Sequence, residues 1–428
     1  MSSVIASRHD RTTDAAVAVL RALFRETFAL DFAIELWDGT RIEAERRERF
    51  VLKLRTPYAL RAALSQPVDL NLGRAFVEEW IDVGGDLEAA VDAFQEAAQN
   101  LPKHAIPLLV ARLVGLPRPP RVGVDGASRL RGRRHSPERD AAAIGFHYDQ
   151  PLAFYASFLD PQLVYSCAYF EDDARSLDEA QMAKIDYVLR KLRLTPGQRL
   201  LDIGCGWGAL VIRAAERFGA QALGVTLSVP QRDEALRRIG AQNLSERATV
   251  ELRDYRDLGT RRFDRVVSIG MVEHVGRAKL PEYFAAAYRA LRNGGLFLNH
   301  GIADQEPARR GYRASGFMER YVFPDGELVP ISHTLTAAER AGFEVRDVEN
   351  LREHYARTLR SWVANLDRNA AAAKAAAGKR AYRVWRLYMT ASAQGFRRGR
   401  MGLFQALLSK PYRDGSVDVP PTRHDLYA

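Results

Sequence analysis

Cysteine is nearly absent from this 428-residue chain, which holds two, Cys167 and Cys205. Two thiols cannot build a disulfide framework, so a reducing compartment is the expected setting. Long hydrophobic runs are missing as well. No stretch of about 18 apolar residues occurs, which excludes a helical membrane span. The first twenty residues, MSSVIASRHDRTTDAAVAVL, carry Arg and Asp where a signal peptide needs an apolar run. The expected location is therefore cytoplasmic, with any membrane contact peripheral and on the inner face. His, Cys and Asp do not gather at metal-ligand spacing, so no metal is expected. No glycine loop is followed by G-K-[ST], which excludes a P-loop.

What is present supports a large folded protein. Hydrophobic residues make up 47% and charged residues 27% of the chain, enough for a sizeable core and, at this length, more than one domain. Lys and Arg number 63 against 53 Asp and Glu, a net charge of +10. Such an excess suits either a solvated basic surface or attraction to a polyanion, nucleic acid or anionic lipid. No basic-aromatic reader motif accompanies it, so nucleic acid is not an expected partner.

Three parts succeed one another. Residues 1–116 read as a small α+β module, with helical spacing over Leu20–Phe32, short strands at Ala33–Trp37 and Arg49–Leu54, and helices at Leu72–Glu79 and Leu87–Glu96. Residues 117–139, PRPPRVGVDGASRLRGRRHSPER, read as a linker with seven Arg against two acids. It would serve as a tether or as a basic strap near anionic headgroups, each Arg adding ~1 kcal/mol there. From residue 140 to 428 short apolar strands alternate with amphipathic helices. The strands are expected at Arg199–Ile203, Ala220–Val225, Thr249–Arg253, Arg265–Ile269 and Gly295–His300. Helices are expected at Leu177–Lys191, Ala209–Phe218, Val229–Ile239, Leu280–Leu291, His333–Ala341, His354–Asp367 and Ala372–Phe396. That alternation predicts an α/β fold, a doubly wound, mostly parallel sheet with helices on both faces.

The strongest local signal is LLDIGCGWGAL at 200–210, where a strand ends in Asp202 and runs through Gly204, Cys205, Gly206 and Gly208 into a helix. Glycines there allow a sharp turn and close approach to a ligand. The C-terminal end of the first strand is also where open α/β sheets bind nucleosides. The form D-x-G-C-G-x-G resembles motif I of class I S-adenosylmethionine methyltransferases. In those enzymes the next strand usually ends in an acid that holds the ribose. Here it ends GVTLSVPQ, leaving Thr226, Ser228 and Gln231 to supply polar contacts. In RDYRD after the third strand, Asp254 could accept from an adenine amino group and Tyr255 could stack on the base.

Several further segments fall in register. HYD (147–149), FY (154–155), YSCAYF (165–170), GVTLS (224–228), SIGMVEHVG (268–276), YVFPDGELVP (321–330) and HYARTLRSW (354–362) resemble the cyclopropane-fatty-acyl-phospholipid synthases and the related mycolic acid cyclopropane synthases. The resemblance covers about residues 140–415, and the first module resembles the smaller domain of the longer bacterial members, a lipid-binding or dimerisation domain. It implies a seven-stranded Rossmann-like sheet, S-adenosylmethionine as cofactor, and Tyr165 and Ser166 beside it. It implies transfer of a one-carbon unit to the cis double bond of an unsaturated phospholipid chain, closing a cyclopropane ring. A related lipid C-methyltransferase, giving a methyl- or methylene-branched chain, is the alternative.

In this family a bound bicarbonate ion takes the proton that must leave before the ring closes. The resemblance assigns its holding set to the main chain of Cys167, the side chains of Glu273 and His300, the backbone of Ile302 and the hydroxyl of Tyr355. Tyr165, Tyr169, Phe170 and Tyr355 are candidates to face the positive charge on the chain. His274 stays outside the set. One departure stands out: residues 150–153 read QPLA where the family commonly has a polar, Asn-containing segment, which bears on chain preference and product.

Overall fold

The computed structural model describes residues 11–25, 30–120, 128, 130–305 and 316–427. Residues 121–127 and 129 of the predicted strap lie outside them. Two compact units are formed. One draws its described residues from 1–127, 315–321 and 379–394; the other from 128–314, 322–378 and 395–428. The sequence reading keeps 140–428 together, so the two inserted segments are a departure from it. Buried polar contacts within the first unit account for the second segment. Arg383 donates to the carbonyls of Phe76 at 2.8 Å and Ile81 at 3.2 Å, and Gln394 donates to Asp92 at 2.6 Å. An amphipathic pattern along a helix does not say which core its apolar face will enter.

The first unit holds a four-stranded sheet in the order β2 (Arg41–Ile42), β1 (Phe32–Glu35), β3 (Phe50–Leu54), β4 (Ile81–Gly85). The expected helix over Leu20–Phe32 is displaced: a helix covers Arg11–Leu20, a π-helical turn covers Arg21–Arg25, and Phe32 opens β1. Pairing overrides local spacing here, because Phe32 lies opposite Phe50 with the rings stacked at 4.5 Å.

The second unit is built on seven strands: β5 (Arg199–Ile203), β6 (Gln221–Thr226), β7 (Ala248–Leu252), β8 (Phe263–Ile269), β9 (Leu291–Asp304), β10 (Glu344–Asn350) and β11 (Met401–Ser409). Their order is β10-β11-β9-β8-β5-β6-β7. β5 to β9 pair in parallel, while β11 is antiparallel to both β9 and β10. This is the class I methyltransferase arrangement, with the first unit added at the N-terminal side of the chain. β5 and β6 are buried along all but their first residue, as central parallel strands covered on both faces must be. Successive residues feed opposite layers: Leu200 joins Val188, Val211 and Ile239, whereas Leu201 joins Tyr283, Phe284 and Ala338.

All five predicted strands of this sheet form, and so do the predicted helices. Leu177–Lys191 and Ala209–Phe218 have the predicted bounds. The Leu177–Lys191 helix opens on a capping box in which Ser176 and Glu179 satisfy each other's backbone N–H. The long C-terminal helix, Ala370–Arg397, is broken at Gly378, where φ is 82°. The strand order reverses at β5, since the chain goes to β6 on one side and returns to β8 on the other. This switch point opens a crevice beyond the C-terminal ends of β5, β6 and β8.

Gly224 on β6 faces the glycine loop. A Cβ there would lie 2.6 Å from Cys205 Sγ and 3.1 Å from Val211 Cγ2, whereas one at Gly240 would meet nothing within 4 Å. Gly224→Val is expected to cost about 1–3 kcal/mol by overpacking, and Gly240→Ala to be neutral or slightly stabilising. Urea midpoints of the two variants test this, and equal midpoints would show that the loop yields freely.

Candidate active site

The crevice is a cleft partly open to solvent, running along the loop after β5 and the C-terminal ends of β5, β6 and β8. Its floor is the loop after β5. The N–H groups of Gly204 and Cys205 both donate to Val225 O, at 2.9 and 3.1 Å, which ties the loop to β6. Gly206 has φ +54° and Gly208 φ +82°, a left-handed backbone that favours glycine. A Cβ on Gly206 would meet no protein atom within 4 Å, so it would project into space available to a ligand.

Tyr165, Ser166, Asp202, Gly204, Cys205, Gly206, Thr226, Gln231 and Tyr255 all line the cleft. Thr226 Oγ1 donates to Gln231 Oε1 at 2.8 Å, so the polar pair that replaces the usual acid is prearranged. Two expected contacts fall elsewhere. Ser228 caps the Val229–Ala241 helix and donates to Asp149 at 2.9 Å, which engages its hydroxyl twice. Asp254 borders an adjoining pocket of about 460 Å³, and Arg256 holds both its oxygens at 2.8 and 2.5 Å. A carboxylate has about four lone-pair sites, so the ion pair fixes the orientation of Asp254 and leaves it acceptor capacity.

Lys184 is the residue that sequence reasoning missed. It lines the cleft, is buried, and donates to Ser166 Oγ at 2.8 Å. Burial lowers it to about 8 and raises Asp202 to about 7, the nearby opposite charge opposing both shifts. A signal existed: Gln181 and Lys184 occupy the apolar face of a helix whose neighbours Ala180, Ile185 and Val188 are core. A charge on such a face is rarely idle.

The expected anion-holding set divides into two groups. β9 runs past the last β8 pairing, Ile269 with His300, which leaves the Ile302 N–H without a ladder partner on that side. That N–H donates to Glu273 Oε1 at 2.7 Å, so it is engaged by a side chain rather than free for a bound ion, as the resemblance had implied. Glu273 Oε2 and His300 Nε2 are buried and have no hydrogen-bond partner among the described residues. Burial raises the Glu273 carboxyl to about 7 and pushes His300 well below its ordinary value. The other group is Cys167 and Tyr355. The Cys167 thiol is buried and donates to Ala168 O at 3.2 Å, and the next N–H, of Ala168, donates to Thr358 Oγ1 at 3.0 Å. Tyr355 lies one turn before Thr358 on the Arg352–Arg368 helix. Burial pushes the Cys167 thiol up, away from nucleophilic character.

Aromatic rings link the two regions. Tyr165 is 5.1 Å from Trp362, which is 6.1 Å from Tyr355. Of the other candidate rings, Tyr169 stacks between Tyr187 and His354, and Arg357 lies 4.0 Å over the Phe170 ring. His274 accompanies Tyr148 at 3.3 Å on the adjoining pocket. Tyr155, just past the QPLA departure, packs at 4.8 Å on Trp207 of the cleft. Two buried polar groups without a partner among the described residues suit a small oxyanion, and the glycine-loop cleft, with Thr226, Gln231 and Asp202 on its lining, suits a nucleoside.

Residues 135–406 match the family model described as mycolic acid cyclopropane synthetase, and residues 19–105 match a domain of unknown function. A "Probable fatty acid methyltransferase" of Pseudomonas putida is 39% identical over 407 residues, covering 94% of this chain and 98% of the relative. Cyclopropane mycolic acid synthase 1 of Mycobacterium tuberculosis is 37% identical over 63% of this chain and 97% of its own length. The solved structure of the mycolic acid cyclopropane synthase CmaA1 complexed with SAH and CTAB matches with a TM-score of 0.60 at 37% identity, over 63% of this chain and 98% of that one.

Gly206→Val is expected to keep the fold while weakening S-adenosylhomocysteine binding by at least about tenfold, as read by calorimetry. Unchanged affinity would place the ligand elsewhere. A second expectation concerns pH. Because the folded protein holds Glu273 protonated up to about 7, against an ordinary carboxyl value of 4.5, the folded state binds the extra proton. Stability should therefore fall as pH rises through that window, by up to ~3 kcal/mol. Glu273→Gln should flatten the profile between about pH 4.5 and 7, and parallel wild-type and variant profiles would contradict the assignment. Asp202 acts with the same sign in both proteins and cancels in the comparison.

Proposed function

Because the chain belongs to the mycolic acid cyclopropane synthetase family, we propose that it uses S-adenosylmethionine to add a one-carbon unit to the cis double bond of an unsaturated phospholipid acyl chain, closing a cyclopropane ring. The observation that carries this reading is the pairing of a cleft on the glycine loop with two buried polar groups, on Glu273 and His300, that lack partners among the described residues.

An isolated alkene is a weak nucleophile, so the protein's work is alignment and exclusion of water. Bound S-adenosylmethionine would supply an electrophilic methyl group. Gly204, Gly206, Thr226 and Gln231 would hold it, with Lys184 and Asp202 offering one group of each sign beside the cleft floor. The faces of Tyr165 and Tyr355 would shelter positive charge on the acyl chain. A bicarbonate ion would supply a base that needs no mobile side chain, and Glu273 and His300 are the groups that would hold it. The near-neutral Glu273 can donate to an anion when protonated and withdraw that support when ionised.

The substrate would be met at the cytoplasmic face of the membrane. Among the described residues no helix is long and apolar enough to cross a bilayer. The net charge of +10 supports attraction to an anionic surface. Within the strap, Arg139 is committed to Asp325 at 2.5 and 2.9 Å and Arg134 pairs with it at 3.5 Å, whereas Arg131 and Arg133 are exposed. The first unit is proposed to serve lipid contact or homodimer formation. The name borne by the Pseudomonas putida relative favours a second reading, a methyl- or methylene-branched product.

Purified protein incubated with labelled S-adenosylmethionine and unsaturated phospholipid vesicles is expected to yield lipids heavier by one methylene and unchanged by mild hydrogenation. A product that takes up hydrogen supports the branched alternative, and no labelled lipid at all would remove both. Glu273→Gln should bind cofactor normally yet turn over roughly 10²–10⁴-fold more slowly. Near-wild-type turnover would exclude Glu273 from the chemistry.

A further inference from the structure

Behind His300 lies a buried polar chain that the reading above does not use. β9 and β11 are antiparallel, and Gln405 is the direct cross-strand partner of His300. Gln405 Nε2 lies 3.1 Å from His300 Nδ1. On its other side Lys191 Nζ donates to Gln405 Oε1 at 2.9 Å. Lys191 ends the Leu177–Lys191 helix, and its ammonium is bonded to the Glu349 carboxylate on β10, with Asp347 at 4.0 Å and the Tyr187 ring centroid at 4.5 Å. His300, Gln405 and Lys191 are each only 1% exposed.

Three polar residues with almost no access to water are costly unless they satisfy one another in a defined sense. The sense can be worked out from the outer end. An ammonium has donors and no lone pair, so the Gln405 atom facing Lys191 must be the carbonyl oxygen. The carboxamide is planar, so its NH₂ group then faces His300. That group can only donate, so His300 Nδ1 must be the acceptor. A neutral imidazole has one ring proton, which leaves it on Nε2. His300 Nε2 is buried and has no partner among the described residues. Protonation of both nitrogens is opposed by burial and by the cations Lys184 and Lys191 nearby.

We propose that Lys191 and Gln405 are positioning residues that lock His300 as the neutral Nε2–H tautomer, so that it presents a fixed donor to a small oxyanion bound beside Glu273. The inference rests on the functional reading above for the identity of that anion, but the lock itself is a property of the protein alone. A ring free to exchange tautomers would offer a lone pair to the anion part of the time, which repels it. A locked donor removes that state, at the expense of burying a lysine whose charge Glu349 and Asp347 balance.

The experiment is nitrogen-15 NMR of histidine-labelled full-length protein, with the His300 signals assigned by their loss in His300→Gln. The expected wild-type spectrum shows Nδ1 as the unprotonated and Nε2 as the protonated nitrogen across neutral pH. Gln405→Glu is nearly isosteric and leaves Lys191 a partner, but its carboxylate accepts where the amide donated. His300 should then carry a proton on Nδ1. Methyl transfer should fall roughly 10–100-fold, with a raised requirement for added bicarbonate and unchanged S-adenosylhomocysteine affinity. Lys191→Met, which frees the carboxamide to flip, should give a mixture of tautomers. A wild-type ring protonated on Nδ1, or a Gln405→Glu spectrum identical to wild type, would overturn the lock. If the spectra come out as expected and no lipid is methylated under any condition, the lock stands and the functional reading falls.

Discussion

Taking charge out of water is the constraint around which this site is organised. Asp202, Lys184, Glu273, His300 and Lys191 all sit where solvation is poor, and each is moved toward its neutral form by that burial. Placing so many ionisable groups behind one cleft is unfavourable for folding, and the structure offsets it group by group. Lys184 leans on Ser166 and lies near Asp202; Lys191 is held by Glu349; Glu273 takes the Ile302 N–H. Glu273 Oε2 and His300 Nε2 are among the buried atoms left without a partner among the described residues.

The sheet makes this concentration possible. Parallel strands covered on both faces are apolar along their length and can turn polar only at their ends, so ionisable residues collect beyond the C-terminal tips of β5, β6 and β8. The antiparallel pair β9–β11 adds a second, deeper polar layer, because an antiparallel partner places a residue directly opposite His300. The cleft lining, Glu273, His300 and the rings of Tyr165, Trp362 and Tyr355 all belong to the second unit.

Much of this was legible in the residue order. The five parallel strands and the helices between them follow from hydrophobic spacing, and the glycine loop from D-x-G-C-G-x-G. Legibility ended where local pattern and tertiary pairing disagree. β10, EVRDVEN, is charged and half-buried and has no alternation to mark it, whereas β11, MGLFQALLS, is apolar enough to pass for a helix. Ser228 and Asp254 were sound candidates by position, but Asp149 and Arg256 engage them. Lys184 looked like one more charge on an amphipathic helix until the fold showed which face was inside.

By itself the chain order determined the sheet's class, the site of its switch point and the residue types gathered there, because strand period, helix period and glycine spacing are local properties of the backbone. Only the tertiary structure decided which polar groups are spent on one another and which are left over. Gln405 is 105 residues from His300 and Lys191 is 214 from Gln405, and no local pattern links them. Their alignment comes from strand pairing and helix packing, which is where the direction of each buried hydrogen bond is set.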